Sequence, residues 1–176
     1  MPETADLDAA RTMLWRDDQA IVNLRGHPED DRFVQATQQV LGIAPPLEPC
    51  RTVAGGGLRI VWAGPDDWFV IAEDGAAGTW CRRLREALAG VHAAVTDVSS
   101  GYAVLQLSGP SARERLAQGC PLDLHPRAFG AGCAADTHWF KASVWLWRPD
   151  DEPRFELLVR RSFRGYVASM LARAAA

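Results

Sequence analysis

A chain of 176 residues with 48% apolar composition can bury roughly two-thirds of its unfolded surface, which argues against disorder. Its 22 acids and 19 bases are mixed along the chain and leave a formal charge of −3, so no basic tract suited to nucleic-acid phosphates is present. No run approaches 18 consecutive apolar residues, and "MPETADLDAARTMLWRDD" lacks the basic start and apolar centre of a signal peptide.

A cytoplasmic protein is therefore expected, with Cys50, Cys81, Cys120 and Cys133 as reduced thiols without framework spacing. Seven tryptophans are the compositional oddity. Large aromatics fill cores and are also enriched at protein interfaces, and composition leaves both uses open.

In chain order, residues 1–19 read as an N-terminal extension. Residues 20–176 read as one unit built from halves of about 20–98 and 99–176. "AIVNLRG" alternates as a strand does, and "HPEDDRFVQATQQVLG" follows as a helix. Pro28 suits its first position, Glu29, Asp30 and Asp31 complement the positive end of the dipole, and Gly42 supplies the stop. The buried stripe would be Phe33, Thr37, Val40 and Leu41. After a loop rich in proline and glycine, "LRIVWAGPDDWFVIAE" predicts a β-hairpin around Gly64-Pro65-Asp66-Asp67. "AAGTWCRRLREALAG" is helical by the spacing of Trp80, Leu84 and Leu88, and "VHAAVTDVS" is the strand after it.

The second half repeats this outline. Strand "YAVLQLS" leads to helix "GPSARERLAQ", with Gly119 at the expected left-handed stop. Two strands in "ADTHWFKASVWLWR", a strand in "RFELLVRR" and a helix in "SFRGYVASMLARAAA" capped by Ser162 complete the chain. The predicted class is α+β: two βαβ-like halves sharing a mainly antiparallel sheet.

No cluster among these elements reads as a catalytic, cofactor-binding or metal site. Cys120, Asp123 and His125 lie together in "GCPLDLHP", but the thiol stands at the negative end of a helix, where a reactive thiolate is disfavoured. Packing is its expected role. Cys120-x4-His125 recurs as Cys133-x4-His138, a spacing looser than the paired ligands of structural zinc sites. "AGGGLR" precedes a strand and lacks the Lys-Ser or Lys-Thr of a phosphate cradle, so a flexible loop is expected. Asp66-Asp67 and Asp150-Asp151 read as solvated turn carboxylates. Arg160, Arg161 and the "RSFRGY" segment read as a solvated basic rim, with recognition of a partner's carboxylate as the other reading.

Taken together, "GPDDWFVIA", "TDVSSGYAVLQLSGPSARERLAQGCPLDLHPRAF" and "FELLVRRSFRGYV" resemble the gamma subunit of heterotetrameric sarcosine oxidase. The likeness runs from about Asn23 to the final helix. It extends, through "DVS" and "LSGPSARERL", to the folate-binding domain of the aminomethyltransferase T-protein. In catalytic members of that wider group a later strand follows a Gly-Gly turn and carries an Asp pair, one acid of which works on the folate-bound one-carbon unit. The equivalent stretch here, "HWFKASVWLWR", has Lys141-Ala142-Ser143 and no acid, and general acid–base work needs a proton-carrying group.

The resemblance thus implies a non-catalytic subunit that gives assembly surface to flavin-bearing alpha and beta subunits and a zinc-binding delta subunit. That complex would demethylate sarcosine oxidatively to glycine. FAD, FMN, NAD, zinc and tetrahydrofolate would be carried by the other subunits, and none by this chain. A stand-alone folate-binding or aminomethyltransferase-like protein is the alternative.

Overall fold

The computed structural model describes residues 13–73 and 76–174. Ten strands and four α-helices occur among them. In chain order these are β1 (Met13–Arg16), β2 (Ala20–Gly26), α1 (Asp31–Leu41), β3 (Thr52–Gly55), β4 (Leu58–Gly64), β5 (Asp67–Ala72), α2 (Ala77–Ala87) and β6 (Ala93–Asp97). The series continues with β7 (Tyr102–Ser108), α3 (Ala112–Ala117), β8 (Ala134–Trp139), β9 (Ala142–Trp147), β10 (Arg154–Arg160) and α4 (Arg164–Ala174). The α+β class and the antiparallel pairing agree with the sequence reading. The strands form two five-stranded sheets, however, rather than one shared sheet.

The unit Asp18–Ser100 holds the sheet β3-β4-β5-β2-β6, antiparallel throughout. Alternation places Val22 and Leu24 of β2, Ile60 of β4, and Trp68 and Val70 of β5 in one core. Phe33 and Leu41 of α1, Cys81 and Leu84 of α2, and Leu88 just beyond α2 join them. Helix α1 begins later than expected. The Asp30 side chain accepts from the Arg32 N–H at 3.0 Å and sets the cap, leaving Pro28 outside the helix. Its C-terminal stop is Gly42 at φ 75°, as the sequence suggests. Of the expected stripe, Phe33, Thr37 and Leu41 are buried and Val40 is only half-buried.

The glycine run is no flexible loop. Gly56 and Gly57, at φ 59° and 74°, form the tight turn that joins β3 to β4, where two successive left-handed residues match the strands' twist.

The second unit comprises residues 13–17 and 101–174 of the described chain. Its sheet runs β1-β7-β10-β9-β8, again antiparallel throughout. Leu105 and Leu107, Val144 and Leu146, and Leu157 and Val159 face Leu116 of α3 and Val167 and Leu171 of α4.

The two sheets match strand for strand: β6-β2-β5-β4-β3 against β1-β7-β10-β9-β8. In the first, the strand at the β6 position follows the last helix in sequence. In the second, the start of the chain supplies it. Met13–Arg16, inside the stretch expected to be an extension, is therefore a sheet strand, registered from Met13 opposite Leu107 to Arg16 opposite Val104. Met13, Leu14 and Trp15 are apolar in succession, so no alternation marks the stretch as a strand.

Two helix ends also depart from expectation. A 3-10 turn over Arg161–Phe163 precedes α4, with Arg160 at its cap and no side-chain cap bond, so Ser162 does not cap. Gly119 is not left-handed; its missing Cβ instead makes room for the Phe140 ring, which an added methyl would overlap.

Candidate functional site

The Cys120-Asp123-His125 stretch forms a backbone corner. Cys120 is buried, and its N–H donates to the Leu116 carbonyl at 2.9 Å. The Asp123 carboxylate accepts from the His125 N–H at 2.9 Å, while His125 Nδ1 accepts from the Arg127 N–H at 3.2 Å. The His125 carbonyl accepts from both Ala128 and Phe129 at 2.8 Å. Carboxylate and imidazole thus stabilise successive turns, and the thiol packs in the α3–α4 core.

The second Cys-His spacing separates as well: Cys133 is half-buried before β8, and His138 is exposed on it. Among the described residues no three of His, Cys, Asp and Glu converge on a point that could hold a metal ion.

Both acid pairs do more than solvate a turn. Asp150 pairs with Arg154, and the Asp151 carbonyl accepts from Arg148 at 2.9 Å. Arg148 is 5% exposed. Asp66 pairs with Arg25 at 2.9 Å, while Asp67 accepts from the Asn23 amide at 2.6 Å and lies 3.9 Å from the Arg25 guanidinium. Burial holds the Asp67 carboxyl above its ordinary value, against the pull of Asn23 and Arg25. The basic rim is engaged too. Arg161 reaches Asp17 at 3.0 Å, Arg164 pairs with the same carboxylate and stacks over Trp15, and Arg160 lies over Tyr102.

The acid-free stretch 138–148 is the β8–β9 hairpin. Its two turn residues are Phe140 and Lys141, and Phe140 adopts φ 51°, uncommon for a bulky side chain. The Phe140 N–H donates to the Gly119 carbonyl at 2.8 Å, and the Lys141 N–H to the Tyr166 hydroxyl at 3.3 Å. Trp139 donates its indole N–H to the Leu116 carbonyl at 3.1 Å. Side chain and backbone here serve packing: Trp139 and Trp147 are buried, and Phe140 and Trp145 are half-buried.

One cleft was not foreseen. It has a volume of about 300 Å³ and is lined by Arg25, Gly26, His27, Asp66, His92, Ala93 and Ala94. The His27 and His92 rings stand 5.8 Å apart at a 30° tilt. The β2–β6 register brings them together, ending at Gly26 opposite Ala93. No signal in the linear sequence links positions 65 residues apart, because strand pairing is not encoded locally.

Comparison with known proteins sets the class first. The fold is similar to that of the glycine cleavage system aminomethyltransferase T from Bartonella henselae (TM-score 0.70, 15% identity, 97% of this chain and 49% of that chain). Two antiparallel sheets in repeated α+β units thus place the protein in the aminomethyltransferase-like fold class. It is more similar to a chain of the heterotetrameric sarcosine oxidase from Corynebacterium sp. U-96 in complex with pyrrole 2-carboxylate. There the TM-score is 0.85, with 28% identity over 97% of this chain and 90% of that one.

The model of the sarcosine oxidase, gamma subunit family matches residues 25–176. The sarcosine oxidase subunit gamma of Corynebacterium sp. (strain P-1) is 36% identical over 152 residues, which is 85% of this chain and 72% of that protein. The chain belongs to the sarcosine oxidase gamma subunit family. Against two further gamma subunits the matched stretch spans 50% and 58% of their length.

Proposed function

We propose that this chain is the non-catalytic gamma subunit of a heterotetrameric sarcosine oxidase. It gives assembly surface to the flavin-bearing alpha and beta subunits, beside a zinc-binding delta subunit, in the cytoplasm. The whole complex demethylates sarcosine to glycine. FAD, FMN, NAD, zinc and tetrahydrofolate sit on the other subunits, and no residue of this chain acts on the substrate.

The observation that carries this reading is the family match over 25–176. Support comes from residues 138–148, where a catalytic relative would hold a carboxylate. Here a hairpin packs Trp139 and Phe140 into the core of its unit instead. The four half-buried tryptophans, Trp15, Trp62, Trp80 and Trp145, are the candidates for partner contact.

Co-expression with alpha, beta and delta subunits from the same source tests this. All four chains should elute as one complex. Elution of this chain alone, with the other three assembling an active enzyme without it, overturns the proposal. Binding of tetrahydrofolate to the isolated chain would favour the stand-alone folate reading.

A further inference from the structure

We propose that His27 and His92 form a two-imidazole binding site for a divalent late transition-metal ion such as Ni²⁺, Cu²⁺ or Zn²⁺. The two residues lie one step past the last β2–β6 pair, Gly26 opposite Ala93, so they continue the antiparallel register across the strand ends. Directly opposed residues of such a pair hold their Cβ atoms about 4.5–5.5 Å apart, which suits two side chains meeting on one ligand. Two imidazoles bonding one ion at about 2.0–2.1 Å per nitrogen cannot hold their ring centres much more than about 6 Å apart. The observed 5.8 Å separation falls inside that limit.

Both rings are exposed and open into a cleft of about 300 Å³, so the remaining coordination positions are accessible to water. The charge of the cleft does not oppose a cation. Arg25, the one cationic side chain among the lining residues, is paired with the Asp66 carboxylate at 2.9 Å, so the lining carries no uncompensated positive charge. An anion would meet a guanidinium already engaged by carboxylates. Imidazole nitrogens select nickel, copper and zinc over magnesium and calcium, which need oxygen ligands. The site is separate from the Cys-His spacings, whose members do not converge. It does not depend on the subunit assignment.

The test is titration of the full chain, untagged and stripped with chelator, with NiCl₂ and separately ZnCl₂. Calorimetry gives the stoichiometry, and histidine ring proton signals in NMR spectra locate the ion. One equivalent should bind, with the His27 and His92 signals moving first. His27→Gln and His92→Gln should each weaken binding at least tenfold, His125→Gln should leave it unchanged, and Asp66→Asn should weaken it a few-fold. MgCl₂ should not bind there. The side chains are exposed, so the variants keep the fold, checked by circular dichroism. No binding of either metal, binding that survives both histidine substitutions, or signals confined to His125 or His138 would each overturn the proposal.

Discussion

The Trp147 indole N–H donates to the Glu156 carboxylate at 2.7 Å, between residues that stand directly opposite each other on β9 and β10. Trp147 is fully buried and Glu156 half-buried. A carboxylate in that setting is stabilised by a charge-assisted donor and serves to hold the strand pair. This tryptophan and this acid are committed to structure.

Trp147→Phe keeps most of the aromatic volume and removes the donor. A hydrogen bond to a charged group contributes about 1.5–3 kcal/mol, so a destabilisation of that size is expected in urea unfolding. Trp147→Phe combined with Glu156→Gln should cost less than the two single losses added, because both singles weaken the same bond. Strictly additive losses would contradict this.

Gly119→Ala and Gly26→Ala should each destabilise by about 1–3 kcal/mol through overpacking. The added methyl overlaps the Phe140 ring in the first and the fully buried Phe33 ring in the second. Gly78→Ala, with open space around the new methyl and a helical position, should be neutral or stabilising. Thermal midpoints of the three variants check the ranking.

Asp17 accepts from Arg161 and Arg164 just after β1, so Asp17→Ala should loosen that strand. Ion pairs with this exposure contribute under about 1 kcal/mol, so global stability should barely change. Hydrogen exchange should nonetheless accelerate at the amides of 13–16 relative to those of β10. High salt should reduce the difference between the two proteins.

The folded state binds the Asp67 proton more tightly than the unfolded chain does, because burial raises its carboxyl value. This residue therefore adds stability as pH falls through that raised value, and its ionisation above it opposes folding. Asp67→Asn, which retains an acceptor for the Asn23 amide, should be more stable than the parent at neutral pH. That advantage should shrink on acidification. Urea midpoints of both proteins at several pH values test the sign, and an advantage that grows toward low pH would contradict it.

Elements with strong local signals were legible in the sequence. The alternation in "AIVNLRG" and "YAVLQLS" and the spacing of Phe33, Thr37 and Leu41 locate β2, β7 and α1 directly. Pairing was not legible. Neither the division into two sheets nor the use of Met13–Arg16 to close the second follows from any local pattern. Gly119 was recognised as a required glycine for the wrong reason, because its constraint comes from Phe140, 21 positions away. The packing role of Cys120 follows from the helix end before it, whereas the turn bonds of Asp123 and His125 and the His27–His92 cleft needed the structure.

The most direct measurement is sarcosine-dependent formaldehyde release, together with methylene transfer to tetrahydrofolate, by the isolated chain and by the four-subunit complex containing it. A scaffold subunit gives no turnover alone in either assay, while the complex turns over at full rate. Product formed by the isolated chain in either assay would contradict the assignment.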